Sequence, residues 1–262
     1  MLGNKISVVT GAGGGIGRAT AIEMARQGAK VVVSDLEEEG GKETVATIIE
    51  QGGDAIFVQC DLRNRESIRQ LMERAAVQYG GIDVLHNNAG IHEANLTSQT
   101  SVAEMPEEVW DMVFDVNVKA VWLCAKYSIP YLRKSRSAAI INAGSTGSVV
   151  AYPSAPSYSA SKGAVMQLTK AMAIDLAPDG IRCNCYGPGA VDTRMVSKYI
   201  DFAEDKDAVR RLLTGSHLIP RLGRPEEIAK LVCFLASDDA SFINGAFYLI
   251  DGGTLAWRGT NA

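Results

Sequence analysis

Short runs of β-branched residues alternate with longer segments of helical period along the whole chain. Strands that are separated by helices cannot pair as hairpins, so such a chain forms parallel βαβ units with helices on both faces of the sheet. The pattern therefore predicts a doubly wound α/β fold with a seven-stranded parallel sheet. The predicted strands are Ile6 to Thr10, Lys30 to Ser34, Ala55 to Gln59, Asp83 to His86, Ala139 to Ala143, Ile181 to Cys185 and Ala246 to Ile250.

Two helical segments show which face they turn to the sheet. In each of them, apolar residues recur at positions i, i+3, i+4 and i+7, which gives the helix one apolar stripe. The two stripes are Ile68, Leu71, Met72 and Ala75, and Ile228, Leu231, Val232 and Leu235.

No linker, low-complexity tract or block of charge interrupts the 262 residues, which predicts a single domain over residues 1–262. A formal net charge of −4 provides no basic surface for nucleic acid. The longest apolar runs are far too short to span a bilayer, and the first residues have no signal-peptide layout. We therefore expect a cytoplasmic protein that binds neither nucleic acid nor a membrane.

Five cysteines are scattered along the chain without a C-x-x-C pair, and only three histidines accompany them. Cys183 and Cys185 are a candidate metal or redox pair, but residues two apart on a strand also lie on one buried face. We favour the second interpretation and predict no metal site.

Two longer segments interrupt the alternation, Ile91 to Met105 and Thr193 to Leu222. Each follows the carboxyl end of a predicted strand, where open α/β sheets bind their ligands. Long connections inside a compact domain are usually functional. We predict that the segment at about 193–222 covers the substrate.

A glycine-rich turn joins the first predicted strand to the first helix. Glycine allows a tight turn and lets the backbone approach a pyrophosphate, whose charge is met by N–H groups at the helix start. The position between a strand and a helix favours dinucleotide binding over a plain tight connection. The predicted cofactor contacts in this turn are Gly11, Gly14, Gly15, Ile16 and Gly17.

Acidic residues end the second strand and follow the third. Asp35 lies 18 residues after Gly17, where a carboxylate accepts hydrogen bonds from the adenosine ribose and repels a 2′-phosphate. This favours NAD over NADP, although capping of the next helix is an alternative role for Asp35. Asp61 is a candidate for the adenine amino group, with capping of the helix near Asn64 as its alternative. The adjacent residues Leu36 and Leu62 complete the predicted adenosine contacts.

Four further motifs follow one another along the chain. They are Asn87-Asn88-Ala89-Gly90, then Asn117, then Ser145 with Tyr158-Ser159-Ala160-Ser161-Lys162, and then Pro188-Gly189-Ala190-Val191-Asp192-Thr193. Together with the T-G-x-x-x-G-x-G pattern of the glycine-rich turn, they resemble the short-chain dehydrogenase/reductase family over essentially the whole chain. The resemblance implies a Rossmann-like fold and hydride exchange between a nicotinamide cofactor and an alcohol or ketone.

Tyr158 and Lys162 lie four residues apart, which places both side chains on one face of a helix. A tyrosine ionises at a pKa of about 10, and a nearby ammonium stabilises its phenolate. The resemblance implies that Tyr158 is the general acid/base and that Lys162 lowers its pKa and holds the nicotinamide ribose. It also implies that Ser145 donates to the substrate oxygen and that Asn117 positions a water linking Lys162 to solvent.

The resemblance also implies the remaining cofactor contacts and the assembly. The turn after strand four would leave room for the cofactor, and the turn after strand six would form a wall beside the nicotinamide. Members of the family are usually tetramers, so we expect a homotetramer. The cofactor residues of the two turns are Asn88, Ala89, Gly90, Pro188, Gly189, Val191 and Thr193.

The substrate side is less determined by these motifs. Beside Ser145 and Tyr158, we predict substrate contacts for Tyr152 and Tyr186. Two residues just beyond the strand-four motif, His92 and Glu93, are also within reach of a substrate. Residues at such positions are more often solvated loop, so we do not include them.

We expect an NAD-dependent oxidoreductase that moves a hydride between the cofactor and a secondary alcohol or its ketone. One alternative is an NADPH-linked 3-oxoacyl-(acyl-carrier-protein) reductase. Asp35 argues against it, as does the lack of a basic residue at Gly13 or Gly14. The other alternative is a dinucleotide sensor without turnover, which would not need all four catalytic side chains.

Overall fold

A single parallel sheet forms the centre of the molecule. The computed structural model describes residues 1–201, 205–215 and 217–257. Within these ranges, seven parallel strands pair in the order β3-β2-β1-β4-β5-β6-β7. The strands are β1 Ile6–Thr10, β2 Lys30–Asp35, β3 Asp54–Gln59, β4 Val84–Asn87, β5 Ala139–Ala143, β6 Arg182–Pro188 and β7 Phe247–Ile250.

Helices cover both faces of this sheet. Those in the described residues are α1 Gly15–Arg26, α2 Glu38–Glu50, α3 Arg65–Tyr79, α4 Glu107–Phe114, α5 Ala120–Leu132, α6 Pro156–Leu176, α7 Arg194–Asp201, α8 Lys206–Gly215 and α9 Pro225–Ala236. One apolar cluster packs α3, α5 and α6 against the sheet, and a second packs α1, α2 and α9 against the opposite face. The predicted doubly wound, single-domain α/β fold is therefore confirmed.

The two predicted apolar stripes differ in how well they describe their helices. Every residue of the α3 stripe is fully buried. In α9, Leu231 is only half-buried, whereas Ala229 and Cys233 are fully buried. The reason is that α9 packs against α1 as well as against the sheet, so it buries a broader face than one stripe.

Most strands begin and end within a residue or two of their predicted bounds. The exception is β6, which continues beyond Cys185 because Gly187 and Pro188 pair with β7. β2 also extends by one residue, since Asp35 pairs with Gln59 of β3.

The two irregular segments have different structures. Residues 91–105 are mostly without regular structure apart from the short 3-10 helix Glu93–Asn95. The segment 193–222 contains α7 and α8, which the sequence analysis did not predict. The charged residues that indicated a loop, such as Lys206 and Arg210, lie on the exposed side of a short amphipathic helix.

From β1, the strands β2 and β3 extend the sheet in one direction, and β4 to β7 extend it in the other. The direction in which strands are added therefore reverses between β1 and β4. In a sheet of this kind, a crevice opens at the carboxyl ends of the two strands that flank the reversal. The glycine-rich turn follows β1 and the Asn88 turn follows β4. Both motifs are thus brought to the same edge of the sheet.

In the described part of the chain, we find no helix of the length and apolarity that a membrane span requires. The same residues include no group of three or more His, Cys, Asp or Glu side chains that could hold a metal ion. All five cysteines are unpaired and buried. Cys183 and Cys185 pack in the same apolar cluster, where burial raises the pKa of both thiols.

Candidate active site at the carboxyl ends of the strands

The glycine-rich turn has glycine at two positions where no other residue fits. Gly11 has a φ of +63°, and a Cβ there would lie 2.8 Å from the backbone of Ala89. A Cβ at Gly17 would overlap the carbonyl oxygen of Gly11. Gly14 is the N-cap of α1, and no side chain in the described residues caps this helix. The first N–H groups of α1 are therefore available to an anionic group.

The turn after β4 packs directly against the glycine-rich turn. The side-chain amide of Asn88 donates to the carbonyl oxygens of Thr10, at 3.0 Å, and Gly11, at 3.1 Å. The Thr10 hydroxyl accepts from the backbone N–H groups of Asn88 and the next residue. A Cβ at Gly90 would lie only 3.2 Å from Nζ of Lys162. This turn therefore connects the glycine-rich turn to the lysine of α6.

Asp35 ends β2 and contacts the glycine-rich turn. Its Oδ2 accepts from the N–H group of Gly13 at 2.8 Å, and its Oδ1 accepts from that of Glu37, the N-cap of α2, at 3.0 Å. A Cβ at Gly13 would lie 2.9 Å from Oδ2. The guanidinium of Arg18 donates to the Gly13 carbonyl at 2.7 Å and pairs with Glu43 at 2.8 Å. The N-cap of α2 is Glu37, and no side chain of the described residues caps this helix, so the alternative in which Asp35 caps it is wrong. The contact of Asp35 with the adenosine ribose stays a prediction.

The carboxylate of Asp61 pairs with a neighbouring arginine and does not cap the helix that follows it. Its two carboxylate oxygens accept from the Arg63 guanidinium at 3.0 and 2.8 Å, and these hydrogen bonds lower the pKa of Asp61. Asn64 caps α3 instead, by accepting from the N–H groups of Glu66 and Ser67. The alternative in which Asp61 caps the helix is therefore wrong, and its contact with adenine stays a prediction.

The apolar residues predicted beside the cofactor differ in exposure. Leu36 is 50% exposed at the end of β2. Ile16 and Leu62 are partly buried and pack against the two core clusters. Of these three predicted cofactor contacts, Leu36 has the most exposed side chain.

Helix α6 presents Tyr158 and Lys162 on one face, as their spacing predicts. Nζ of Lys162 lies 5.7 Å from the centroid of the Tyr158 ring and donates to the carbonyl oxygen of Ala143 at 2.8 Å. Burial lowers the pKa of Lys162 to about 8. Burial also raises the pKa of Tyr158 to about 12, against the effect of a hydrogen bond with Ser145. At neutral pH, a protonated phenol thus lies beside a positive charge.

Three hydroxyl-bearing side chains converge on Gly147. A Cβ at this position would lie 3.3 Å from Oγ of Ser145 and 3.5 and 3.2 Å from ring carbons of Tyr158 and Tyr152. Oγ of Ser145 accepts from the N–H group of Gly147 at 3.0 Å, so its proton remains free to donate. The Tyr152 hydroxyl is hydrogen-bonded to Thr146. The predicted substrate contacts Ser145, Tyr152 and Tyr158 are therefore neighbours.

Asn117 lies in a widened helical turn. Residues Asp115–Lys119 form a π-helical segment between α4 and α5, a feature that is frequent at functional sites. The buried amide of Asn117 bonds both backbone groups of Ile91, accepting from its N–H at 2.8 Å and donating to its carbonyl at 2.9 Å. It also donates to Oγ of Ser161 at 3.0 Å. Asn117 thus joins the segment after β4 to α6.

Tyr186 lies in the core rather than at the substrate. Its side chain is completely buried, with the hydroxyl 3.1 Å from Nε2 of His86. It belongs to the apolar cluster that α1 and α9 cover. Side chains alternate along a strand, and β6 continues past this position, so Tyr186 points to that face of the sheet. The structure therefore corrects the prediction that Tyr186 contacts the substrate.

The turn after β6 forms one wall of the crevice. The carbonyl oxygen of Pro188 accepts from the hydroxyl of Thr146 at 3.3 Å. Val191 is buried and forms an isolated parallel bridge with the chain just before α9. A Cβ at Gly15 would lie 3.1 Å from the methyl group of Thr193. The 193–222 segment thus begins in contact with the glycine-rich turn.

His217 brings the other end of that segment to the same wall. A Cβ at Gly189 would lie 3.1 Å from Nε2 of His217, whose Nδ1 lies 2.8 Å from the carbonyl oxygen of Arg221. His217 is almost completely buried. The sequence analysis did not single it out, because an isolated histidine in a charged segment carries no positional signal.

His92 and Glu93 are not solvated loop residues. Glu93 is fully buried, and its Oε1 accepts from the backbone N–H groups of Ser157 and Tyr158 at 3.0 and 3.2 Å. The His92 ring stacks on the Tyr158 ring with their centroids 4.5 Å apart. The expectation that these two residues are solvated is therefore wrong. Their partners lie more than 60 residues further along the chain, so no local pattern could have indicated the contact.

Comparisons with known proteins extend over this whole arrangement. Residues 11–254 match the family model described as enoyl-(acyl carrier protein) reductase. The crystal structure of levodione reductase superimposes with a TM-score of 0.92 at 29% sequence identity, and the match covers 98% of this chain and 100% of that one. The similarity therefore includes both the sheet and the crevice at its edge.

Two relatives are similar over nearly their full lengths. Cis-4-hydroxycyclohexanecarboxylate dehydrogenase of Sinomonas cyclohexanicum is 38% identical over 96% of this chain and 97% of its own. A 3-oxoacyl-(acyl-carrier-protein) reductase of Thermotoga maritima is 36% identical over 96% of this chain and 98% of its own.

Proposed function

The chain belongs to the short-chain dehydrogenase/reductase family, and we propose that it moves a hydride between NAD(H) and a secondary alcohol or its ketone. The observation that carries this proposal is the convergence of Ser145 and Tyr158 on Gly147, with Lys162 on the same face of α6. Dehydrogenases of this family use nicotinamide cofactors. The names of the two relatives, one for a ring hydroxy acid and one for an oxoacyl group, agree with alcohol and ketone chemistry.

Tyr158 is the proposed general acid/base. In the oxidative direction its phenolate takes the hydroxyl proton of the alcohol, and in the reductive direction its phenol returns that proton to the ketone oxygen. Ser145 donates a hydrogen bond to the same oxygen and stabilises the charge that develops there. Lys162 stabilises the phenolate, and Asn117 holds a water between Lys162 and solvent. The bound cofactor supplies the acceptor or donor of the hydride.

NAD is the proposed cofactor because of the surroundings of Asp35. A dinucleotide fits the crevice, since the uncapped start of α1 and the glycines that no Cβ could replace leave room for a pyrophosphate. The carboxylate of Asp35 borders this turn and would repel a 2′-phosphate. No basic side chain could be added at Gly13 without moving Asp35. Arg18, bonded to the same turn, is paired with Glu43.

The segment 193–222 is the proposed cover of the substrate. It begins at Thr193 beside the glycine-rich turn, and α7 packs against the 3-10 helix Glu93–Asn95. Closure over the crevice would exclude water from hydride transfer. A homotetramer in the cytoplasm remains our expectation for the assembly and its location.

Steady-state kinetics with a small substrate panel test this proposal. We would follow the reduced cofactor by absorbance with cyclohexanol, cis-4-hydroxycyclohexanecarboxylate and a 3-oxoacyl thioester, each with NAD(H) and NADP(H). Tyr158→Phe is compared with Tyr79→Phe, which removes a hydroxyl bonded to Asp54 away from the crevice. We expect NAD(H) to be preferred and Tyr158→Phe to lower kcat by about 10²- to 10⁴-fold, with Tyr79→Phe unchanged.

Each other outcome has a distinct meaning. Full activity of Tyr158→Phe would refute the acid/base role. A preference for NADPH together with turnover of the 3-oxoacyl thioester would favour the oxoacyl reductase alternative and refute our interpretation of Asp35. Binding of reduced cofactor without turnover of any substrate would favour the sensor.

A further inference from the structure

Helix α6 lacks a cap within its own sequence. Its N-cap residue is Ala155, whose methyl side chain cannot accept a hydrogen bond, and Pro156 occupies the first helical position. The amide N–H groups of Ser157 and Tyr158 are among the first four of the helix, so they have no partner within it. The residue proposed to carry the proton is therefore in the part of α6 that depends most on outside contacts.

The carboxylate of Glu93, which lies in a distant segment of the chain, acts as the missing cap of α6. Its Oε1 accepts from the N–H groups of Ser157, at 3.0 Å, and Tyr158, at 3.2 Å. A fully buried carboxylate is unfavourable unless it is hydrogen-bonded, and Oε2 of Glu93 has no hydrogen-bond partner within the described residues, so its charge depends on the two bonds to Oε1 and on the positive end of the α6 dipole. Glu93 thus does for α6 what a Ser or Asp N-cap does elsewhere.

The segment that carries Glu93 is itself anchored to the active site. Both backbone groups of Ile91 bond the side chain of Asn117, at 2.8 and 2.9 Å. Nδ1 of His92 lies 3.3 Å from Oε2 of Glu93, and the His92 ring stacks on Tyr158. One short stretch therefore contacts the backbone of Tyr158, its ring and the amide of Asn117.

We propose that Glu93 is a positioning residue for Tyr158, which it serves by fixing the first turn of α6 through its carboxylate. Without this carboxylate, the N–H groups of Ser157 and Tyr158 would lose their hydrogen-bond acceptor, and the backbone that carries the phenol would be held less firmly relative to Ser145. The inference rests on the proposed function, because it assumes that Tyr158 carries the proton.

The same carboxylate has an electrostatic effect that opposes Lys162. Burial is the main reason for the raised pKa of Tyr158, and the nearby carboxylate of Glu93 raises it further. The other titratable groups near Tyr158 are Lys162 on its own helix, His92 against its ring and Tyr186 on β6. Removing the charge of Glu93 therefore lowers the pKa of Tyr158, and the phenolate forms at lower pH.

Two substitutions separate position from charge. Glu93→Gln keeps an oxygen that can accept both N–H groups but removes the charge, whereas Glu93→Ala removes both. Glu108→Gln is the matched control, since Glu108 is an exposed carboxylate in the first turn of α4. For each variant we would measure kcat and KM for alcohol oxidation against pH, the affinity for NADH and the midpoint of thermal unfolding.

The proposal predicts a different result for each variant. In Glu93→Gln, the rise of kcat with pH should move to lower pH, with plateau kcat and NADH affinity close to wild type. In Glu93→Ala, kcat should fall by about tenfold or more while NADH affinity is unchanged, because a misplaced acid/base affects the chemical step. Glu108→Gln should match wild type throughout.

Several outcomes would overturn it. If Glu93→Gln left the pH profile in place, Glu93 would have no electrostatic role at Tyr158. If Glu93→Ala kept wild-type kcat, or lost NADH affinity in proportion to kcat, the carboxylate would not position Tyr158 specifically. Should Glu93→Ala not fold, the pH profile of Glu93→Gln decides. Tyr158→Phe distinguishes failure of the proposed function from failure of this inference. If Tyr158→Phe is fully active, the proposed function fails. If Tyr158→Phe is inactive but the Glu93 variants behave as wild type, only this inference fails.

Discussion

The two sides of the crevice are built from different kinds of contact. On the cofactor side, backbone meets backbone: a Cβ at Gly17 would overlap the Gly11 carbonyl, and a Cβ at Gly11 would lie 2.8 Å from the Ala89 backbone. On the substrate side, side chains define the space, as where a Cβ at Gly147 would approach the ring of Tyr152 at 3.2 Å. Backbone cannot move without displacing the strands, whereas a side chain can change rotamer. We therefore expect the cofactor side to resist substitution and the substrate side to accept it.

The largest expected effect is a difference between two glycine-to-alanine variants, one on each side of the crevice. Gly17→Ala should lower the free energy of unfolding by about 3 kcal/mol or more, because its Cβ meets a backbone carbonyl that cannot yield. Gly147→Ala meets only side-chain atoms, those of Tyr152, Ser145 and Tyr158, so it should alter kcat and KM for the substrate and leave stability within about 1 kcal/mol. Chemical denaturation of the protein without cofactor measures both.

Gly14→Ala is the control for this comparison. No atom lies within 4 Å of a Cβ at Gly14, and its φ of −166° suits any residue, so stability should change by less than about 0.5 kcal/mol. If Gly17→Ala and Gly147→Ala lowered the free energy of unfolding equally, the two sides would be equally rigid, and the proposed difference between them would be wrong.

Lys162 lies where the two sides meet, and its burial should give stability a distinct dependence on pH. Its pKa falls from 10.5 to about 8 on folding. Between pH 8 and 10.5, the unfolded chain holds a proton at this position that the folded chain has lost, so rising pH favours the folded wild type. Relative to wild type, Lys162→Met should therefore lose about 1.4 kcal/mol of stability per pH unit across this range.

Lys170→Met provides the reference for that measurement. Lys170 is exposed on the same helix, so this variant removes a lysine without removing a buried one. Urea unfolding at pH 7, 8, 9 and 10 would decide, and a constant difference for Lys162→Met would mean that Lys162 is not desolvated in the folded protein.

The smallest effects separate the two tyrosines that the sequence assigns to the substrate. Tyr186→Phe removes a buried hydroxyl bonded to His86 and should cost about 1 kcal/mol of stability without changing KM. Tyr152→Phe removes a hydroxyl bonded to Thr146 on a partly exposed ring, so it should cost less stability than Tyr186→Phe and alter KM for the substrate by about threefold to tenfold. A change in KM for Tyr186→Phe would show that Tyr186 contacts the substrate after all.

The cofactor side and the Tyr158 helix could be predicted because their determinants are local. The glycine-rich turn lies within a few residues of β1, and Tyr158 and Lys162 are one helical turn apart, so spacing alone places them together. The order of the strands then brings these local features to one edge of the sheet. The fold and the position of Asp35 follow from the same kind of reasoning, whereas Ser145 and Asn117 were implied by the resemblance to the family.

What could not be predicted depends on strand length or on contacts between distant segments. Ending β6 at Cys185 left Tyr186 outside the strand, whereas the strand continues to Pro188 and its alternation turns Tyr186 into the core. Glu93 finds its partners 64 and 65 residues later, a distance at which hydrophobic period carries no information. The helices of the cover each have one apolar side, which the charged residues between the apolar ones obscured in the sequence.

The widened turn at Asp115–Lys119 restricts insertions and deletions as well as substitutions. A π-helical turn contains one residue more than an α-helical turn, and each residue of an α-helix advances by about 100°. Deleting one residue here would restore a regular helix but rotate either Asn117 away from Ile91 or α4 relative to α5. Lys119 is exposed and could be replaced by many residues, yet it could not be removed. Over this stretch, the geometry of the helix restricts the number of residues more strictly than the identity of an exposed one.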